Sequence, residues 1–113
     1  MLRLYYNPDC SKSRAVLARM QAAGLQPEIV NYLINPPQRR QLEALVQKLE
    51  EPAAQLLRAY TGTQKPDATH VVATLLDAPE QMQRPVVELD TRAFIARPPE
   101  RVDALLDSSP TPP

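Results

Sequence analysis

The sequence predicts an α/β fold: a mixed four-stranded sheet whose β-α-β and β-β-α halves are separated by a helical insertion. Short runs of β-branched and aromatic residues alternate with longer stretches whose apolar residues recur at helical spacing. The 13 prolines, more than double the usual share of about 5%, fall mostly between these segments and mark their ends. A length of 113 residues, with no internal repeat, suits one domain. We expect that domain to span 1–107, with the insertion at about 36–80 and a disordered tail of Ser, Thr and Pro at 108–113.

Leu2 to Tyr6 reads as the first strand, stopped by Asn7-Pro8. From Cys10 to Ala23, Val16, Leu17, Met20 and Ala23 recur at helical spacing, and Gly24 follows as a natural left-handed C′ residue. Glu28 to Leu33 reads as the second strand. Asn35-Pro36-Pro37 is expected to open a helix whose apolar face is Leu42, Leu45, Val46 and Leu49. Pro52 restarts the chain into a shorter helical piece ending near Leu56-Leu57-Arg58, and Tyr60 to Lys65 reads as loop. Val71, Val72, Leu75 and Leu76 form a further helical stripe that Pro79 ends. Val86 to Leu89 and Ala93 to Ala96 read as a hairpin, and Pro98-Pro99 starts a last helix carrying Val102, Leu105 and Leu106. This order, with a polar-flanked Cys after the first strand, is the layout of a thioredoxin-type fold. Arg84-Pro85 stands where that fold places a cis-proline, although most X–Pro bonds are trans.

Composition prunes the function classes. Lys plus Arg total 13 and Asp plus Glu total 13, so no cationic excess points to nucleic acid. Ten of the 13 cations are Arg, whose rigid donor fork suits flat or multi-oxygen anions. Two glycines exclude a Walker loop and a dinucleotide-binding glycine triplet. One Cys and one His exclude a structural zinc site of about four such ligands, and an internal disulfide. No run approaches the ~20 apolar residues of a membrane span. A lone thiol without an export signal reads as cytoplasmic.

The stretch from Asn7 to Arg14 carries the chemistry. A helix beginning at Cys10 aims its unpaired first-turn N–H groups and the positive end of its dipole at the thiol. Lys12 and Arg14 add full charges nearby, while Asp9 opposes them. A free Cys is only about 3% thiolate at pH 7, and lowering its pKa by two units takes about 2.7 kcal/mol. A helix N-terminus supplies about 0.3–2 kcal/mol of that, and cations can supply the remainder. The competing reading of Cys10, a small buried hydrophobe, sits poorly with polar neighbours on both sides. The same helix start, with Ser11, Lys12, Ser13 and Arg14, suits a tetrahedral oxyanion. His70 falls in a helical first turn and reads as solvent-exposed rather than as a base for Cys10.

These residues resemble a known family, the glutaredoxin-coupled arsenate reductases. Asn7-Pro8-x-Cys10-x-x-Ser13-Arg14 looks like the family's active-site signature. Tyr32-Leu33 with Asn35-Pro36-Pro37 resembles the junction into its helical insertion. Arg84-Pro85-Val86-Val87, Arg97-Pro98 and, more loosely, Leu56-Leu57-Arg58 resemble its arginine motifs. The resemblance covers Leu2 to Leu106. It implies that Cys10 attacks arsenate, that glutathione displaces the arsenic–sulfur adduct, and that glutaredoxin completes reduction to arsenite. It also implies that Arg58, Arg84 and Arg97 grip the oxyanion, with no bound cofactor and glutathione as co-substrate. The small size and the absence of an interface signature permit a monomer. The family carries His where this chain has Tyr6, a phenol that is neutral at pH 7. Ala59 to Gln83 is also short for the family.

Two other functions fit the same fold. A glutathione-dependent thiol–disulfide oxidoreductase would use Cys10 on mixed disulfides, with an external thiol to resolve them. A transcription regulator of the Spx type would bind RNA polymerase; such regulators typically carry a Cys-x-x-Cys switch, whose second position is Ser13 here.

Overall fold

The computed structural model describes residues 1–58 and 66–107. The expected loop at 60–65 lies outside the described residues, as does the expected tail at 108–113. The described chain runs β1 (Leu2–Tyr5), α1 (Ser11–Ala22), β2 (Glu28–Val30), α2 (Arg39–Lys48), α3 (Ala68–Asp77), β3 (Val86–Leu89), β4 (Ala93–Ile95) and α4 (Asp103–Asp107). Short 3-10 turns at Ala53–Leu56, Pro79–Gln81 and Pro99–Val102 link them. The sheet order is β2-β1-β3-β4, with β1 parallel to β2 and antiparallel to β3, and β3 antiparallel to β4. This is the mixed four-stranded thioredoxin-like sheet the sequence predicts.

Both sheet faces are covered, and the strand registers show how. Leu4, Val87 and Phe94 are cross-strand partners. They meet Val16 and Met20 of α1 and Val102 and Leu105 from the C-terminal end. One residue along, Tyr5, Val86 and Ile95 are partners and meet Leu42 and Leu45 of α2 and Val71 and Leu75 of α3. Adjacent Val86 and Val87 are therefore both fully buried, which is why β3 shows no polar alternation. Each such side chain contributes roughly 1.5–3 kcal/mol of burial.

One charge interrupts this run. Glu88 is 3% exposed and accepts hydrogen bonds from the Tyr5 hydroxyl (2.9 Å) and Arg3 (3.0 Å). The Lys48 ammonium pairs with its other oxygen at 2.6 Å. Burial and this carboxylate raise the Tyr5 pKa, so the phenol stays a donor.

Several boundaries differ from the sequence reading. β2 stops at Val30 because Asn31 turns the chain. Its side-chain oxygen accepts from Leu33 N–H, and its carbonyl accepts from Ile34 and Asn35. Pro36-Pro37 does not open α2. Gln38 is the N-cap and exchanges capping-box hydrogen bonds with Gln41, so the helix starts at Arg39. Leu49 leaves the helix in extended conformation and bridges Ala93, covering the edge of β4. α1 ends as expected: Gly24 has φ +81, and Gly24 and Leu25 donate to Gln21 and Met20 in a Schellman arrangement. Arg84-Pro85 is cis, as the fold analogy suggested, and Arg97-Pro98 is cis as well.

Candidate active site

β1 ends at Tyr5, and the loop that follows delivers Cys10 as the N-cap of α1, with φ −98 and ψ 120. Asn7 fixes this loop. Its side-chain oxygen accepts from Asp9 N–H (2.9 Å), its carbonyl accepts from Cys10 N–H (3.0 Å), and its own N–H reaches the Ser13 hydroxyl (3.3 Å). This is Asx-turn chemistry, in which a short polar side chain organises the two residues after it. Asn7 and Ser13 are both buried.

Cys10 is 7% exposed, yet it sits among donors rather than hydrocarbon. Burial pushes its pKa up, but the Arg84 side chain, the Ser13 N–H and hydroxyl, and the Lys12 N–H favour the thiolate and prevail. The pKa falls from 9.0 to about 6. The thiol closes no standard capping bond; the N2 and N3 amides instead face the sulfur and support its charge. At pH 7 a pKa of about 6 means roughly 90% thiolate.

The source of the positive charge differs from the sequence expectation. What Lys12 gives the sulfur is its backbone N–H, and its side chain is exposed. Arg14 is also exposed, with its guanidinium bound to the Pro8 carbonyl at 2.7 Å. The cation at the thiol is Arg84, which arrives from the far end of the sequence because β3 lies beside β1. Ser11 is exposed at the first helical position. Tyr6 packs in the apolar cluster beneath α1. His70 is exposed in the first turn of α3, as expected, its N–H bonded to the Asp67 side chain.

The other two arginines of the expected trio stand one step away. Arg58 and Arg97 line an open cleft of about 370 Å3 together with Arg101, Glu51, Gln55 and Gln83. Neither Cys10 nor Arg84 is among its lining residues. The cleft adjoins the thiol site through Arg97, whose Nε donates to the Arg84 carbonyl at 2.8 Å. Residues 56–58 reach this place through a short antiparallel bridge, in which Arg58 N–H bonds Gln81 and Gln83 N–H bonds Leu56. Arg101 was not singled out in the sequence. It pairs with Glu51, donates to the Ile95 carbonyl and stacks over Phe94. Glu51 in turn accepts the Ile95 N–H on the edge of β4.

The site is thus a thiolate at a helix N-terminus, neutralised by a half-buried arginine, on a thioredoxin-like sheet. Comparison with known proteins narrows the class. The sequence model of the ArsC family matches residues 5–105, and this chain belongs to that family. The arsenate reductase of Neisseria meningitidis serogroup A is 31% identical, over 93% of this chain and 97% of its own length. The uncharacterized protein YfgD of Escherichia coli K12 is 34% identical, over 89% and 92%. The solved structure of an arsenate reductase from Vibrio cholerae superposes with a TM-score of 0.81 at 28% identity, covering 91% of this chain and 95% of that one.

Proposed function

We propose that this chain is an oxidoreductase that reduces arsenate to arsenite with electrons from glutathione and glutaredoxin, in the cytoplasm, using Cys10 as its only nucleophilic thiol. The observation that carries the reading is the depressed pKa of Cys10, with Arg84 at the sulfur. Its ArsC relatives that are named arsenate reductases support the substrate.

The chemistry follows from charge. Arsenate is largely a dianion at neutral pH, so attack on it by a thiolate brings like charges together and requires fixed donors. Arg84 and the first-turn amides of α1 meet that need at the sulfur. Arg58 and Arg97 hold the oxyanion or its adducts at the adjoining cleft, with Ser11, Lys12, Ser13 and Arg14 at the helix start. Attack by Cys10 sulfur forms an S–As bond and releases one arsenate oxygen as hydroxide, which takes up a proton to leave as water. Glutathione thiolate then attacks the Cys10 sulfur, the S–As bond breaks with its electron pair on arsenic, and arsenite leaves a Cys10–glutathione mixed disulfide. Because the chain holds a single cysteine, that disulfide is resolved by a second protein, for which glutaredoxin is the fitting partner.

The test is arsenate-dependent NADPH oxidation in the presence of glutathione, glutathione reductase and glutaredoxin. Turnover by the wild-type chain and none by a folded Cys10→Ser variant is expected. No wild-type turnover, or faster turnover of glutathione mixed disulfides than of arsenate, overturns the proposal.

A further inference from the structure

Tyr32 sits in the turn after β2 and is completely buried, yet its hydroxyl has no hydrogen-bond partner among the described residues. Such burial is unfavourable unless something else satisfies the group. Its polar neighbours are Asn7 and Arg84, whose donors face its oxygen and favour its ionisation, while neither accepts its hydrogen. Both are poor acceptors for its hydrogen. A guanidinium has only donors, and the Asn7 amide favours the phenolate by donating toward it rather than accepting. Cys10 is near as well, since its charge disfavours a phenolate at Tyr32.

A second donor beside it is in the same condition. Arg84 Nε is buried and unpartnered, although the Arg84 side chain supports the Cys10 thiolate. Tyr32, Arg84 and Cys10 are therefore mutual neighbours, with two hydrogens that no protein atom accepts. Burial raises the Tyr32 pKa against the pull of Arg84 and Asn7, so the hydroxyl keeps its proton at neutral pH.

We propose that Tyr32 is a substrate-contacting residue: its hydroxyl and Arg84 Nε donate together to an oxygen of the tetrahedral oxyanion that meets Cys10. This rests on the reading of the site given above and extends it to a neutral donor reaching the sulfur from the turn after β2. The ligand class is an anion with an oxygen small enough to enter beside the thiolate, and the contact is hydrogen bonding without proton transfer.

Tyr32→Phe removes one oxygen and keeps the ring in the core, so it separates this role from a structural one. Inorganic phosphate is the probe, titrated by calorimetry. A hydroxyl that serves only a bound anion is not missed in its absence, so the variant melts at or above the wild-type temperature in anion-free buffer. It keeps the Cys10 alkylation midpoint near 6, binds phosphate at least about tenfold more weakly, and shows a raised KM for arsenate. Equal phosphate affinity in the two proteins, a lower melting temperature without anion, or no phosphate binding by the wild type overturns the inference. Phosphate binding that depends on Tyr32 without any arsenate turnover overturns the reductase reading and leaves Tyr32 in place. Arsenate turnover with an unaltered Tyr32→Phe variant does the reverse.

Discussion

Replacing Arg84 with methionine keeps an unbranched side chain of similar reach and removes the charge that faces Cys10. Among the groups favouring the thiolate, Arg84 has the largest effect, and it acts with the Ser13 and Lys12 donors against the opposing effect of burial. An opposite charge at such range moves a pKa by about 1–3, so the Cys10 midpoint rises from about 6 to roughly 7–9. Thiolate at pH 7 falls from roughly 90% to between about half and about 1%. Alkylation by iodoacetamide reads this directly, because the thiolate reacts and the thiol does not. At pH 7 the variant reacts about 2- to 90-fold more slowly, while above pH 10 the two rates converge. The backbone contacts of residue 84, to the Gln83 and Arg97 side chains, survive the substitution. Circular dichroism then confirms an intact fold. A midpoint that stays near 6 in folded Arg84→Met protein refutes the assignment of the cation at the sulfur.

Three further outcomes follow from the same geometry. The Cys10 pKa is lower in the folded chain than in the unfolded one, so stability rises with pH between about 6 and 9 and that gain is lost as pH falls through about 6. The difference in urea midpoint between wild type and Cys10→Ser is expected to grow across this window, and a flat difference contradicts it. Glu88→Gln leaves Arg3, Lys48 and Tyr5 around a neutral amide and is expected to destabilise by about 3 kcal/mol in urea unfolding; a loss under about 1 kcal/mol shows the cluster to be dispensable. Gly24→Ala places its Cβ in open space at φ +81, so its cost is backbone strain alone, about 1 kcal/mol by thermal or urea unfolding.

How much was legible depends on how local each signal was. The strands β1, β3 and β4 and the helices α1 and α3 stand where their apolar patterns put them, because those patterns report the faces buried on either side of the sheet. β2 is three residues shorter than its pattern predicts: Tyr32 and Leu33 favour a strand, but Asn31 competes for the backbone and wins. That turn leaves Leu33 and Ile34 exposed while it buries Tyr32 beside the thiol. At the other end of the junction, proline suggested a helix start, and the Gln38–Gln41 capping box displaced it by two residues.

The site divides along the same line. Cys10 at a helix N-terminus was readable from its neighbours. Lys12 and Arg14 are close in sequence and read as the activating cations, but both are exposed, and the Arg14 guanidinium is bound to the Pro8 carbonyl. Arg84 takes that place through sheet pairing, a relation that spacing along the chain does not express and that only the family resemblance pointed to. Asn7 acts through bonds to Asp9, Cys10 and Ser13, and Glu51 through the Ile95 N–H and Arg101. Of these only Asn7, before a proline in a loop, carried a local signal.

The chain holds one cysteine, so the ultraviolet absorbance of thiolate against pH, taken as the difference between wild type and Cys10→Ser, follows a single group. A sulfur ionised for nucleophilic attack gives one step centred near 6. A step centred near 9 would mean that Arg84 and the α1 amides do not act on it, and the account of this site would fail.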